Sequence, residues 1–166
     1  MTREGSDRGG TPIRKPGWKH ELRLRPAKLG DYIFALSLYL EGAERHLSKI
    51  GQWNRPRIVL KFRQGYKLAP AQIICVGDKR IGWIQVANFV DHMHLRQLHL
   101  IREFRGQGIG TRFIKELLQY ADALGKPVTL DVMHGNPARL LYLRLGFRQK
   151  SQNAATRQMI WRLPRG

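Results

Sequence analysis

Two periods of apolar and polar positions run along this chain, and the switches between them mark its elements. Residues 20–26, His-Glu-Leu-Arg-Leu-Arg-Pro, alternate one by one and stop at a proline, which predicts a first strand. Gly30 and Asp31 then lead into a helix, with Asp31 as its expected N-cap and Ile33, Leu36, Leu40 and Ala43 as its buried stripe. Asn54-Arg55-Pro56 starts a second helix, with Ile58, Val59 and Phe62 on one side. The apolar runs 72–76 and 81–86 flank Gly77-Asp78-Lys79-Arg80 and predict a hairpin. Residues 89–93 read as a loop, and 94–100 as a strand.

Helical periodicity returns after the glycines at 106–110. Phe113, Leu117, Ala121 and Leu124, with Ile114 and Leu118 beside them, predict a helix over 112–124 that opens at or just after those glycines. A strand at 127–132 follows, then a helix at 136–145 with Ala138, Leu141 and Leu145 inward. Segments 147–150 and 158–163 close the sheet. Strands interleaved with helices predict a single α/β domain. Residues 1–18, rich in Gly, Pro and Arg, read as a flexible basic arm, with the domain over 19–166 and Trp18 anchoring the arm's end.

Composition narrows the class. A 166-residue chain that is 42% apolar is long enough for one globular core. Its longest apolar run, residues 32–40, is broken by Ser37 and is far too short to span a bilayer. Residues 1–16 lack the apolar stretch of a signal peptide, and the single cysteine, Cys75, forms no internal disulfide, so the expectation is a cytoplasmic protein. Cys75 lies in an apolar run and reads as core rather than nucleophile.

Charge changes the picture more. Thirty Lys and Arg against twelve Asp and Glu give a net charge of +18, spread along the chain. Such a balance fits nucleic-acid or ribosome association, or the steering of an anionic cofactor. No basic-aromatic interleaving of an RNA-binding strand accompanies it. A polycationic substrate would need a cluster of carboxylates, and few are available.

The candidate chemistry centres on Leu98-His99-Leu100-Ile101-Arg102-Glu103-Phe104-Arg105-Gly106-Gln107-Gly108-Ile109-Gly110-Thr111. An apolar strand here passes through a basic glycine turn into a helix. Helix N-termini present unpaired N–H groups and positive dipole ends, and glycine lets a ligand approach them, so this is a phosphate cradle. It is neither a Walker loop nor a Rossmann fingerprint, because the spacing is Arg105-Gly106-x-Gly108-x-Gly110.

That Arg-x-x-Gly-x-Gly pattern resembles the acetyl-CoA loop of the GCN5-related N-acetyltransferase (GNAT) superfamily. Asn136-Pro137-Ala138-Arg139-Leu140-Leu141-Tyr142-Leu143-Arg144-Leu145-Gly146-Phe147 resembles the same family's second signature, at the right separation. The resemblance covers residues 21–163 and is specific over 95–147. It implies an α/β (α+β) fold, a mixed, mostly antiparallel sheet of about six or seven strands flanked by about four helices, with two parallel strands splayed at the cofactor site. It also implies transfer of an acetyl group from acetyl-CoA to an amine by direct attack in a ternary complex.

Residue roles follow from the resemblance. Leu98, His99 and Leu100 would pair their backbone with the pantetheine arm, and the Leu100 N–H would polarise the thioester carbonyl. The amides of Gly106, Gln107, Gly108, Ile109, Gly110 and Thr111 would hold the pyrophosphate, with charge from Arg105 and a hydroxyl from Thr111. Asn136 would orient the cofactor arm beside the helix that carries Ala138, although an Asn before a proline is also an ordinary helix cap. Tyr142 would donate a proton to the departing thiolate, or else pack on the cofactor.

The base is less defined. Several family members carry a glutamate eleven residues before the loop arginine, and here that position holds His94. A neutral imidazole accepts a proton from an ammonium through water, so His94 is the candidate base, with Asp91 and His92 as neighbours. Strand parity places His99 on the opposite face of the sheet from His94. Asp91, His92 and His94 lack a fourth partner for a metal, and none is expected. Trp53, Glu41 and Glu44 are candidate acceptor neighbours. A longer acyl-CoA as donor, a non-catalytic CoA- or ribosome-binding module, and a homodimer all remain compatible with the sequence.

Overall fold

A computed structural model describes residues 21–163. The basic arm and Trp18 lie outside the described residues, as does His20 of the expected first strand. The sheet has seven strands: β1 Leu22–Pro26, β2 Ala71–Val76, β3 Lys79–Asn88, β4 Met93–Leu100, β5 Val128–Met133, β6 Arg148–Gln152 and β7 Thr156–Trp161. Their order is β1-β2-β3-β4-β5-β7-β6, and every neighbouring pair is antiparallel except β4 and β5. Helices α1 Tyr32–Leu47 and α2 Arg55–Gly65 cover one face, and α3 Ile109–Ala123 and α4 Ala138–Arg144 cover the other. No helix among the described residues is long and apolar enough to cross a membrane.

Alternation along the strands sorts the core into two layers. Ile74, Leu95, Val128, Leu130, Val132 and Met159 face α3, which buries Phe113, Ile114, Leu117, Leu118 and Ala121 against them. Ile73, Cys75 and Trp83 face α1 and α2 through Ala35, Leu38 and Phe62. Cys75 is buried, as its apolar surroundings predict.

Several local expectations hold. The Asn54 side chain accepts the Arg57 N–H at 3.0 Å and caps α2. The β2–β3 hairpin turns on Gly77 and Asp78, with Gly77 at φ 56°; Lys79 and Arg80, expected in the turn, begin β3.

Others need correction. On α1 the buried residues are Ala35, Leu38, Leu40 and Leu47, while Ile33 is 70% exposed. Apolar side chains surround the start of this helix, so period alone does not select the face. Leu124 lies beyond the end of α3 and is exposed.

Asp31 makes no capping bond to α1. Its buried carboxylate accepts from the Lys28 amide at 2.8 Å, from Arg25 at 2.7 and 3.0 Å, and from Arg80 at 3.1 Å. It ties β1 and β3 to the start of α1. Burial opposes its charge, but the bond to Arg25, helped by Lys28 and Arg80, holds the carboxyl well below the usual range.

Candidate functional site

The site is built on a parting of strands. β4 and β5 are paired only over Met93↔Val128, His94↔Thr129 and Leu95↔Leu130. Beyond that point β4 keeps β3 as its sole ladder partner. The Ile101 N–H donates to Ile81 at 2.8 Å, so the alternation of an antiparallel ladder turns the Leu98 and Leu100 amides to the other edge, into the gap. The Leu98 side chain meanwhile packs toward α3, 3.7 Å from where a Cβ on Gly110 would lie. At Gly82 a Cβ would collide with the His99 carbonyl, so β3 and β4 approach this closely only because position 82 is glycine.

The glycine turn meets the mouth of that gap. Gly106 and Gly108 have φ of 70° and 79°, and α3 starts immediately afterwards, at Ile109. Arg112 is the first residue to donate into the helix, to the Gly108 carbonyl at 3.1 Å, so the amides of Ile109, Gly110 and Thr111 precede the ladder. A Cβ on Gly106 or Gly108 would meet no protein atom within 4 Å. Glycine is needed there for its backbone conformation and leaves the space above the amides open.

Arg105 points the other way. Its Nε donates to the Leu100 carbonyl at 2.8 Å, and Nη1 pairs with Glu41 of α1 at 2.9 Å. Burial would raise the Glu41 carboxyl, but Arg105 and Arg45 outweigh it and hold it below its ordinary value. Glu41 therefore lies at the end of β4, and both it and Glu44 are exposed on α1. Trp53 packs against the cluster of Leu40, Leu47 and Ile58, which Met133, at the splayed end of β5, also borders.

On the other side of the sheet, α4 begins just beyond β5. Asn136 Oδ1 accepts the Ala138 N–H at 2.9 Å, which fixes the start of that helix. Tyr142 packs edge-on against Phe147, with ring centroids 5.7 Å apart, and burial raises its phenol above the ordinary value.

The two histidines of β4 share a face, contrary to the parity expectation. The register pairs Gln85↔Gln97 but Val86↔Leu95, so Arg96 is an extra residue, a β-bulge. His94 then lies opposite Ala87 and His99 opposite Trp83, both on the α1–α2 side. His99 stacks on Trp83 with centroids 5.3 Å apart, and its Nε2 meets Gln97 Oε1 at 2.7 Å. Burial, aided by Arg105 and opposed by Glu41, lowers its imidazole to about 4.

His94 Nδ1 lies 2.7 Å from Thr129 Oγ1, whose hydroxyl is directed at the Met93 carbonyl, 3.4 Å away. Its Nε2 faces Asp131 Oδ2 at 3.5 Å. Burial lowers the His94 imidazole, Arg96 and His92 add to this, and Asp131 opposes them. Thr129 and Asp131 carry no motif. They are found only by setting the parallel register of β5 against β4 and taking alternate residues. Asp91 pairs with His92 at 2.7 Å, and no group of three or more potential metal ligands occurs among the described residues.

Splayed parallel strands beside a glycine turn and a helix N-terminus form the arrangement that the two sequence motifs imply. The Acetyltransferase (GNAT) family model matches residues 39–147, more than half of the chain. The protein belongs to this family. Its fold is that of the solved PaiA N-acetyltransferase from Thermoplasma acidophilum, in complex with coenzyme A, at 15% identity and TM-score 0.66, over 86% of this chain and 99% of that one. An acetyltransferase from Thermus thermophilus is similar at 17% identity and TM-score 0.64, over 86% and 97%. The ribosomal-protein-S18-alanine N-acetyltransferase from Escherichia coli gives 15% and 0.58, over 84% and 92%. No curated protein sequence matches the chain. At these identities the likeness to solved structures concerns the fold.

Proposed function

We propose that the protein is an acetyl-CoA-dependent N-acetyltransferase that binds donor and amine together and transfers the acetyl group directly. The observation that carries this reading is the parting of β4 from β5 after Leu95, directly beside the glycine turn. The gap has the shape of a missing strand, and the amides of Leu98 and Leu100 line it. A pantetheine arm is a linear chain of amides suited to complete that ladder, and its pyrophosphate suits the turn and the α3 N-terminus. Acetyl-CoA supplies an acetyl group activated as a thioester.

The chain's own residues supply the rest. The Leu100 N–H, with that of Leu98 next along the same edge, donates to the thioester oxygen as negative charge develops. Tyr142 keeps its proton at neutral pH and gives it to the departing sulfur. His94 takes the proton lost by the attacking amine on its unprotonated ring nitrogen, through water, and the imidazolium so formed faces Asp131. Asn136 and Ala138 hold the start of α4 in place beside the arm, and Thr111 adds a hydroxyl at the cradle. Arg105 acts by bracing the end of β4 against α1.

Calorimetric titration of acetyl-CoA and CoA into the wild type and Gly108→Glu tests the reading. The wild type binds both. The variant, with a carboxylate over the phosphate amides and a side chain forced to a positive φ, binds neither. A wild type that binds neither would end the proposal.

A further inference from the structure

The α1–α2 face of the sheet carries a polar pocket of about 370 Å3, lined by residues that include His94, Thr129, Lys150, Gln158, Ile160 and Arg162. It starts where β4 and β5 are still paired and runs across β5 towards β7 and β6. Register accounts for its lining. Thr129 is opposite Ile160 and Asp131 opposite Gln158, so these four share a face, and Arg162 follows Ile160 by two residues. Lys150 is the residue left over where β6 shifts register between Gln149 and Ser151.

The pocket is electrically divided. At the β4–β5 end, His94 of the lining stands 3.5 Å from Asp131, which lies just outside it. At the β6–β7 end are Lys150 and Arg162, neither ion-paired among the described residues, with the Gln158 amide between the two ends. Asp91, the acidic residue in the lining, is taken up by His92 at 2.7 Å. An ammonium fits the first end and an anion the second, and a guanidinium matches the two oxygens of a carboxylate. The volume is that of a small-molecule site rather than of a macromolecular surface.

We infer that this pocket holds the acceptor by a carboxylate group, so that the acceptor is a small amine that is also an acid. The inference rests on the acetyltransferase reading: the amine approaches past Asp131 and His94 while Lys150 and Arg162 grip the carboxylate. The same two cations would deter a polyamine.

The test pairs amino acids with their amides. Thiol release from acetyl-CoA is measured with a set of α- and ω-amino acids and the corresponding amides. O-phosphoethanolamine serves as the phosphate arm, and Lys115→Gln is a control for net charge. The acids are expected to exceed their amides at least tenfold in kcat/KM, and a Lys150→Gln/Arg162→Gln variant loses that preference through KM. Equal use of acids and amides, a preference that survives in the double variant, or use of O-phosphoethanolamine in place of the acids would overturn the inference.

Binding is read separately from turnover. The backbone amide resonances of Gln158 and Arg162 are followed during titration with N-acetyl-β-alanine and its amide. The acid shifts them and the amide does not. If acetyl-CoA fails to bind, the enzymatic reading falls while these shifts still report the anion site. If acetyl-CoA binds and neither probe shifts them, the anion site alone is wrong.

Discussion

His94 and His99 stand on the same face of β4, five positions apart, because the bulge at Arg96 adds one residue between them. Strict alternation would have put His94 under α3, in the apolar layer with Leu95's neighbours. The bulge instead delivers it to Thr129 and Asp131 on the polar side of the cleft. His94 is buried enough to have its imidazole lowered below the ordinary 6.5, so it is neutral and able to accept a proton at pH 7. As a base it gives kcat/KM an acid limb below pH 6.5. His94→Gln is expected to lower kcat/KM about a hundredfold and to remove that limb. A pH profile of the variant that keeps the limb would assign the proton transfer elsewhere.

Tyr142 makes the complementary prediction. Burial raises its phenol above 10, so the proton is present throughout the physiological range. Tyr142→Phe keeps the ring against Phe147 and removes only the hydroxyl. The expected result is a loss of kcat of about a hundredfold, with acetyl-CoA affinity by calorimetry unchanged within threefold. A large loss of affinity with kcat preserved would make Tyr142 a packing residue.

The strand, glycine turn and helix start proposed to hold the cofactor were legible because their signals are local. A strand, a glycine turn and a helix at 98–124 are contiguous, and Gly106 and Gly108 sit at the positive-φ positions of the turn. The contacts around His94 were not, because they are set by register. Whether His94 meets Thr129 depends on one inserted residue in β4 and on where a parallel strand docks, and no pattern in either segment encodes that. Asp31 shows the same limit. Its position at a helix start is readable, but Arg25 and Arg80 reach it from two strands, and that contact overrides capping. On α1, Ile33 reads as core because apolar residues run almost all the way round the helix start.

Arg105 bridges the Leu100 carbonyl and Glu41, joining the glycine turn to α1 across the end of β4. The pair is partly exposed, with side chains 30% and 46% accessible, so its direct contribution is at most about 1 kcal/mol. A double-mutant cycle of Arg105→Gln and Glu41→Gln is expected to give a coupling of that size, falling as salt is added. Because the guanidinium is held away from the cradle, Arg105→Gln should change the KM for acetyl-CoA less than threefold. A tenfold rise, reduced by salt, would mean that the arginine leaves Glu41 for the phosphates.

Acid should unfold this protein in two stages, and the sign is the same for both. His99 has an imidazole lowered to about 4 in the folded state, against about 6.5 unfolded. The unfolded chain therefore binds more protons between these values, and stability present above pH 6.5 declines as pH falls towards 4. His99 is packed between Trp83 and Tyr39, so this contribution is on the order of 3 kcal/mol. The Asp31 carboxyl is depressed in the folded state, so its stabilisation is present above the unfolded value near 4 and is lost below it. Removing the charge leaves Arg25 and Arg80 without their shared partner. Asp31→Asn is expected to cost on the order of 3 kcal/mol at pH 7, read by urea denaturation. His99→Gln should flatten the decline between pH 6.5 and 4 while leaving the lower stage in place. Asp31→Asn should do the reverse, and identical pH profiles for the two variants would show that neither group governs acid stability.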